Sequence, residues 1–322
     1  MTSYPKFVEF HEEGPREGFQ IESRSYPVEE RAALIEALAS SGLSQVQVGS
    51  FVSPRAVPTL ANTEDLFHLI KKKPGTRYTV LWLNRKGFER ALRVPEVDMY
   101  PALMSYTSDA FSQQNNNCTA VEMRDRNEEW VDLYLENGLT PVSAYIMTAF
   151  GCNLQGEVPI SAVTDLVKWF KDLCADRNVP LPAICLADTV GWANPEEIRR
   201  RIGAVREIVP DARMSLHLHD TRGLGAANFL AALEMGVDLF DSSVAGLGGC
   251  PFAGHGDGKA AGNVCTEDMV FMCHELGIET GIDLDKLIAA ARMAEDIIGR
   301  PLAGRIMHSG GLDKYRHKKV AE

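Results

Sequence analysis

Short apolar runs of strand length alternate along the chain with stretches whose apolar residues recur at helical spacing. Residues 7–10 open the series as a strand. Over residues 28–41, Ala32, Ala33, Leu34, Ala37 and Leu38 follow helical spacing, and Gly42 supplies the stop. Residues 45–49 predict a second strand. A loop with Pro54 and Pro58 follows, then a helix capped by Asn62 or Thr63 and running to Lys73. Residues 78–83 predict a third strand and residues 97–103 a weaker fourth. Beyond them, helices over 121–137, 161–175, 195–209, 225–235 and 266–276 interleave with strands over 142–147, 181–186, 214–219 and 239–244. About eight strand–helix units predict an α/β chain folded as a (β/α)8, or TIM, barrel. A doubly wound open sheet is the competing architecture, weakened because no Gly-x-Gly-x-x-Gly opens a helix. Residues 1–282 are expected to form the barrel, with residues 283–322 a C-terminal helix and tail packed on it.

Composition narrows the function classes. The 322 residues are 45% hydrophobic and 24% charged, as in an ordinary globular protein. A net charge of −11 argues against nucleic acid or an anionic membrane as the main partner. No apolar run approaches the ~20 residues needed to span a bilayer. The segment Met1-Thr-Ser-Tyr-Pro5 lacks the order of a secretory signal, and the seven scattered cysteines fit free thiols, so a cytoplasmic location is expected.

The candidate chemistry centres on Ser215-Leu-His-Leu-His-Asp220. Side chains alternate faces in a strand, so His217 and His219 point the same way while Leu216 and Leu218 pack behind them. A lone His-x-His is more often a pair of polar side chains on a half-exposed strand, yet two imidazoles on one face also make half of a divalent metal site. Glu17 and Asn263 are the favoured partners, completing an oxygen-rich site for Mg²⁺ or Mn²⁺. Arg16, beside that acid, can hold a developing enolate oxygen. Cys250 sits among Gly248, Gly249 and Pro251, where an accessible thiol could carry protons, though a small buried thiol is an equal reading. Arg16, Glu17, Gln47, Ser50, Asp188, His217, His219 and Cys250 all follow or end predicted strands, where barrel active sites form.

These residues lie in motifs that resemble hydroxymethylglutaryl-CoA lyases, metal-dependent barrel enzymes related to isopropylmalate synthase. The matching pieces are Gly14-Pro-Arg-Glu-Gly-Phe-Gln20, Ser50-Phe-Val-Ser-Pro54, His217-Leu-His-Asp-Thr221, the run from Val244 to Pro251, and Gly262-Asn263 with Thr266-Glu-Asp268. The cysteine loop is close to diagnostic of the lyase branch. The resemblance implies metal ligation by Glu17, His217, His219 and Asn263. It implies that Arg16 polarises a thioester carbonyl, that Cys250 is the acid–base group with Glu267 near it on the same lid, and that His217 relays protons. Gln47, Ser50, Asn115, Tyr145 and Asp188 would line the substrate pocket; for Asn115 a plain polar turn is the simpler reading. The implied reaction is retro-Claisen cleavage of an acyl-CoA to acetyl-CoA and a keto acid.

The chain also departs from the pattern. Glu17 stands where the family has aspartate, Gln47 where it has a catalytic glutamate, and Cys185 where it has a substrate-binding serine. Ser23 replaces a CoA-contacting lysine, and Gly299-Arg-Pro301 replaces an Asn-x-Lys, with Arg300 a candidate substitute for the lost phosphate contacts. Alternatives are therefore a lyase for a citramalyl-type thioester, a condensing synthase or aldolase acting on a 2-oxo acid, and a barrel that has lost catalysis. Barrels of this kind often pair, so a homodimer is expected as well.

Overall fold

Each strand of the chain ends in a turn that delivers it to a helix, in a computed structural model that describes residues 4–249 and 262–316. The elements run β1 (Glu9–Glu12), α1 (Val28–Ser40), β2 (Gln45–Ser50), α2 (Thr63–Leu69), β3 (Arg77–Leu81) and α3 (Arg85–Leu92). They continue as β4 (Ala102–Tyr106), α4 (Asp109–Asn116), α5 (Ala120–Glu136), β5 (Ser143–Met147), α6 (Ile160–Asp176), β6 (Ala183–Asp188) and α7 (Pro195–Ile208). Then come β7 (Met214–Leu218), α8 (Gly225–Glu234), β8 (Leu239–Ser242), α9 (Thr266–Glu275), α10 (Leu284–Ile298), α11 (Ile306–Ser309) and α12 (Asp313–Arg316). Eight strands alternating with helices place the chain in the (β/α)8 class, as the sequence predicts. Among the described residues no helix is long and apolar enough to cross a membrane.

The chain falls into two compact units. One comprises residues 9–98, 242–248 and 264–322, the other residues 1–8, 99–241 and 249–263. In the first, β1, β2 and β3 are parallel in the order β3-β2-β1. The β2–β3 register slips between Gln47 and Gly49, leaving Val48 as an extra residue. Gly49 is obligatory here, because a Cβ would lie 2.5 Å from Thr63 Oγ1. The Ser50 N–H donates to that same hydroxyl at 3.3 Å, seating the end of β2 on the start of α2. Late in the chain, α10 packs against α1. In the second unit β4 to β8 are parallel, in the order β8-β7-β6-β5-β4.

Several boundaries differ from the sequence expectation, each for a local reason. The first strand is Glu9–Glu12, two residues later than expected, because His11 and Glu12 are buried despite their polarity. The second helix ends at Leu69, where Ile70 turns extended ahead of three lysines and Pro74. The fourth strand begins at Ala102 instead of residue 97, since Pro101 can donate no ladder hydrogen bond. Four helices were not foreseen, the short α11 and α12 of the tail and two that lie between strands. In α3, Asn84 caps the helix by accepting from Gly87 N–H at 2.9 Å, and its many charged residues hide the buried Phe88 and Ala91. The other, α4, ends at Asn117, which takes a left-handed φ of 57°.

Five of the six described cysteines are buried. Burial pushes the Cys174 and Cys273 thiols up to about 11 and about 12, so both stay protonated and inert.

Helix α5 opens with a reciprocal cap in which Thr119 accepts from Glu122 N–H at 3.1 Å and Glu122 accepts from Thr119 N–H at 2.7 Å. Thr119→Ala removes half of this box and is expected to lower unfolding free energy by about 1 kcal/mol. Urea denaturation should show the midpoint falling with an unchanged slope.

Candidate active site

The second unit carries the histidine pair. His217 lies near the end of β7 and His219 directly after it, and strand alternation brings their Nε2 atoms within 3.1 Å. Register places Asp241 of β8 opposite His217, and Asp241 Oδ2 lies 3.1 Å from His217 Nδ1. A carboxylate there accepts a hydrogen bond from Nδ1–H, and in that tautomer the Nε2 lone pair faces His219, the outer-shell arrangement that orients a metal-binding imidazole. Asn263 joins them through an isolated backbone bridge to His219, steadied by Asp220 N–H donating to Gly262 O at 3.0 Å. Both histidines and Asn263 are buried. Two imidazoles with an amide beside them form a donor set that suits a divalent cation taking nitrogen and oxygen ligands.

Asp188 closes β6, and its Oδ1 accepts from Trp192 N–H at 2.6 Å and Ala193 N–H at 3.1 Å. Its Oδ2 is buried and has no hydrogen-bond partner among the described residues. Burial raises its pKa to about 6; the two N–H groups, and then His219 and Arg222, oppose the rise. Tyr145 is half-buried in mid-β5, level with the fully buried Cys185 of β6. Asn115 lies on α4 and donates to the Tyr106 hydroxyl at 3.0 Å, so it belongs to a helix and not to the polar turn.

The first unit carries the arginine and the acids. After β1 the chain makes a π-helical turn, Gly14–Gly18. Gly14 is required because a Cβ would fall 2.6 Å from Glu12 Oε1. Within the turn, Arg16 Nε donates to Gln47 Oε1, and Nη2 donates to Glu13 Oε2 at 2.7 Å. Glu17 is buried, offers one ligand oxygen, and lies 3.5 Å from the same Nη2. The backbone of Gly248, at φ 93°, runs against it: a Cβ on Gly248 would lie 3.0 Å from Glu17 Cγ. Ser50, the last residue of β2, is buried with its hydroxyl unpartnered among the described residues.

Glu267 sits in the first turn of α9, buried, with Oε2 accepting from Ala245 N–H at 3.0 Å. Burial raises its pKa to about 8, aided by the charges of Asp268 and Glu12, so it is a neutral acid at pH 7. Glu12 behaves similarly: burial lifts it to about 7 against the pull of the Thr266 hydroxyl and the Val244 and Gly14 N–H groups. Cys250 lies outside the described residues. Arg300 pairs with Glu22 at 2.5 Å, which engages the cation considered for phosphate contacts.

Sequence reasoning missed Glu12, Glu13 and Asp241. The first two form part of the polar run Glu9-Phe-His-Glu-Glu13 that masks the end of β1, and Asp241 interrupts an apolar strand. A lone acid within a buried strand, level with a histidine one strand over, was the available signal for Asp241.

Residues 7–294 match the HMGL-like family model. The chain belongs to the HMGL-like family. It is 39% identical to the mitochondrial hydroxymethylglutaryl-CoA lyase of Arabidopsis thaliana over 92% of this chain, and it spans 61% of that longer protein. The Bacillus subtilis HMG-CoA lyase superposes with a TM-score of 0.86 at 33% identity, covering 95% of this chain and 98% of that one. An HMG-CoA lyase of Acinetobacter baumannii, solved with coenzyme A and 3-methylmalate, gives a TM-score of 0.85 at 34% identity over 99% of this chain and 100% of its own. Family membership and the buried histidine pair together support a divalent metal site in this HMGL-like chain.

The raised pKa of Glu267 has a consequence for stability. The unfolded carboxyl ionises near 4.5 and the folded one near 8, so folding favours the protonated form. That contribution is complete below pH 4.5 and is lost as the pH rises through 8. Melting temperature should therefore fall between pH 5 and pH 8, and Glu267→Gln should flatten the fall. Scanning calorimetry of both proteins across that range provides the check.

Proposed function

We propose that this chain is a divalent-metal-dependent carbon–carbon lyase that splits a 3-hydroxy-3-methylglutaryl-CoA-like thioester into acetyl-CoA and a keto acid. The observation that carries the reading is the match, over nearly the whole chain, to HMG-CoA lyases, one of them holding coenzyme A and 3-methylmalate.

In this reading Glu17, His217, His219 and Asn263 would hold a Mg²⁺ or Mn²⁺ ion. Such an ion would supply Lewis acidity to substrate oxygens. Asp241 keeps His217 in the tautomer that presents Nε2. Arg16, gripped by Glu13 and Gln47, binds the thioester oxygen and balances the charge that gathers there. Loss of the hydroxyl proton makes the new carbonyl, and the carbon–carbon bond pair passes to the acetyl-CoA carbon as the enolate, which then takes a proton. Cys250 is assigned this proton traffic by the resemblance. Glu267, which keeps its proton at neutral pH, serves as an acid and not as a base. A citramalyl-type thioester is the second candidate substrate, favoured by Glu17, Gln47 and Cys185 standing where the family has other residues.

Two measurements test this. Mg²⁺ or Mn²⁺ should support release of acetyl-CoA from at least one of a panel of 3-hydroxy-3-substituted acyl-CoA thioesters, and EDTA should abolish it; no cleavage of any member overturns the reading. Independently of turnover, Asp241→Asn should weaken Mn²⁺ binding by about 10–100-fold, read by electron paramagnetic resonance titration.

A further inference from the structure

Arg16 is gripped from two sides by groups of unequal charge. Gln47 Oε1 accepts from Nε, while Glu13 Oε2 accepts from Nη2 at 2.7 Å. The amide contributes direction without charge; the carboxylate contributes both, through a bond roughly twice as strong as a neutral one. The two side chains of the ion pair are 14% and 3% exposed, so it is largely out of water. A guanidinium in that setting, without a counter-charge, would be costly to hold. Gln47 reaches Arg16 from β2 without charge, and the acid that pairs with it stands at Glu13, directly after β1, the strand paired with β2. Glu17 is a weaker contact at 3.5 Å, and its oxygen is assigned to the cation.

We propose that Glu13 is a positioning residue that supplies the counter-charge to Arg16, with Gln47 a neutral second grip that sets the plane of the guanidinium. The arginine is thus held by one charged and one uncharged partner, from the ends of two paired strands. For its substrate this inference rests on the lyase reading, and it adds which acid readies Arg16 for the thioester oxygen.

Glu13→Gln, Gln47→Glu and the double variant test it, each checked for folding by thermal melt. Glu13→Gln should lower kcat by about 100-fold, with KM little changed, because a misplaced guanidinium fails chiefly in the transition state. Gln47→Glu alone should also lower turnover, since two carboxylates then compete for one guanidinium. Combined, the two changes should recover most of the loss. Wild-type kcat in Glu13→Gln, a folded double variant no faster than Glu13→Gln, or a Gln47→Glu single variant faster than wild type would each overturn the proposal. If Glu13→Gln does not fold, a folded and active double variant supports it and an unfolded one counts against it. A substrate-free readout separates this idea from the lyase reading: the ¹⁵N–¹H signal of Arg16 Nε, assigned with Arg16→Lys. That signal should be sharp and slow to exchange in wild type and the double variant, and broadened in Glu13→Gln. Equal sharpness in Glu13→Gln overturns the proposal even if no thioester is ever cleaved.

Discussion

The side chain of Glu12 is shut away from water, and its oxygens accept from the Gly14 N–H, the Val244 N–H and the Thr266 hydroxyl at 2.8, 2.8 and 2.6 Å. A buried carboxyl is tolerable only when such donors meet it. Three separate pieces of chain must therefore converge: the end of β1, the loop after β8, and the first turn of α9. The first holds Arg16 and Glu17, the second carries Ala245 and Gly248, and the third carries Glu267. One polar knot thus fixes the relative heights of the arginine, the acid proposed as a ligand, and the neutral acid beside them. Further stitches lie close by, since Glu13 N–H donates to Ser242 O at 2.8 Å and Thr266 N–H donates to Ser243 O at 3.1 Å.

The histidine half is organised differently. There the backbone ladder does the positioning, because parallel register sets Asp241 opposite His217 and an isolated bridge sets Asn263 against His219. Side-chain direction then follows from the pleat and needs no buried knot. This difference explains what could be read from the sequence. Period-two alternation is visible in letters, so the shared face of His217 and His219 was legible. So was the presence of strand ends near Asp188 and Ser50. A polar knot is not periodic. Glu12 looks like a surface residue until two distant donors, the Val244 N–H and the Thr266 hydroxyl, are brought to it, and Asp241 looks like a flaw in a strand.

The same reasoning applies to the fold. The strand–helix alternation was legible because most elements have apolar faces wide enough to count. α3 and α4 escaped because few of their residues are buried and side-chain caps, from Asn84 and Ser108, help define where they start. Glu267 lies in a helix that the pattern of residues 266–276 did predict, but its burial was not legible, because an acid in a first helical turn reads as a solvent-facing residue.

The division of the chain into units has a consequence for biosynthesis. The unit that begins with β1 draws in residues 264–322, and helix α10, which packs on α1, is synthesised long after it. Vectorial synthesis therefore leaves the α1 surface uncovered until α10 has been made, with sequence-distant pairings still to come. Apolar surface that waits that long for its partner is the part of this unit most open to non-native association while the chain is still growing.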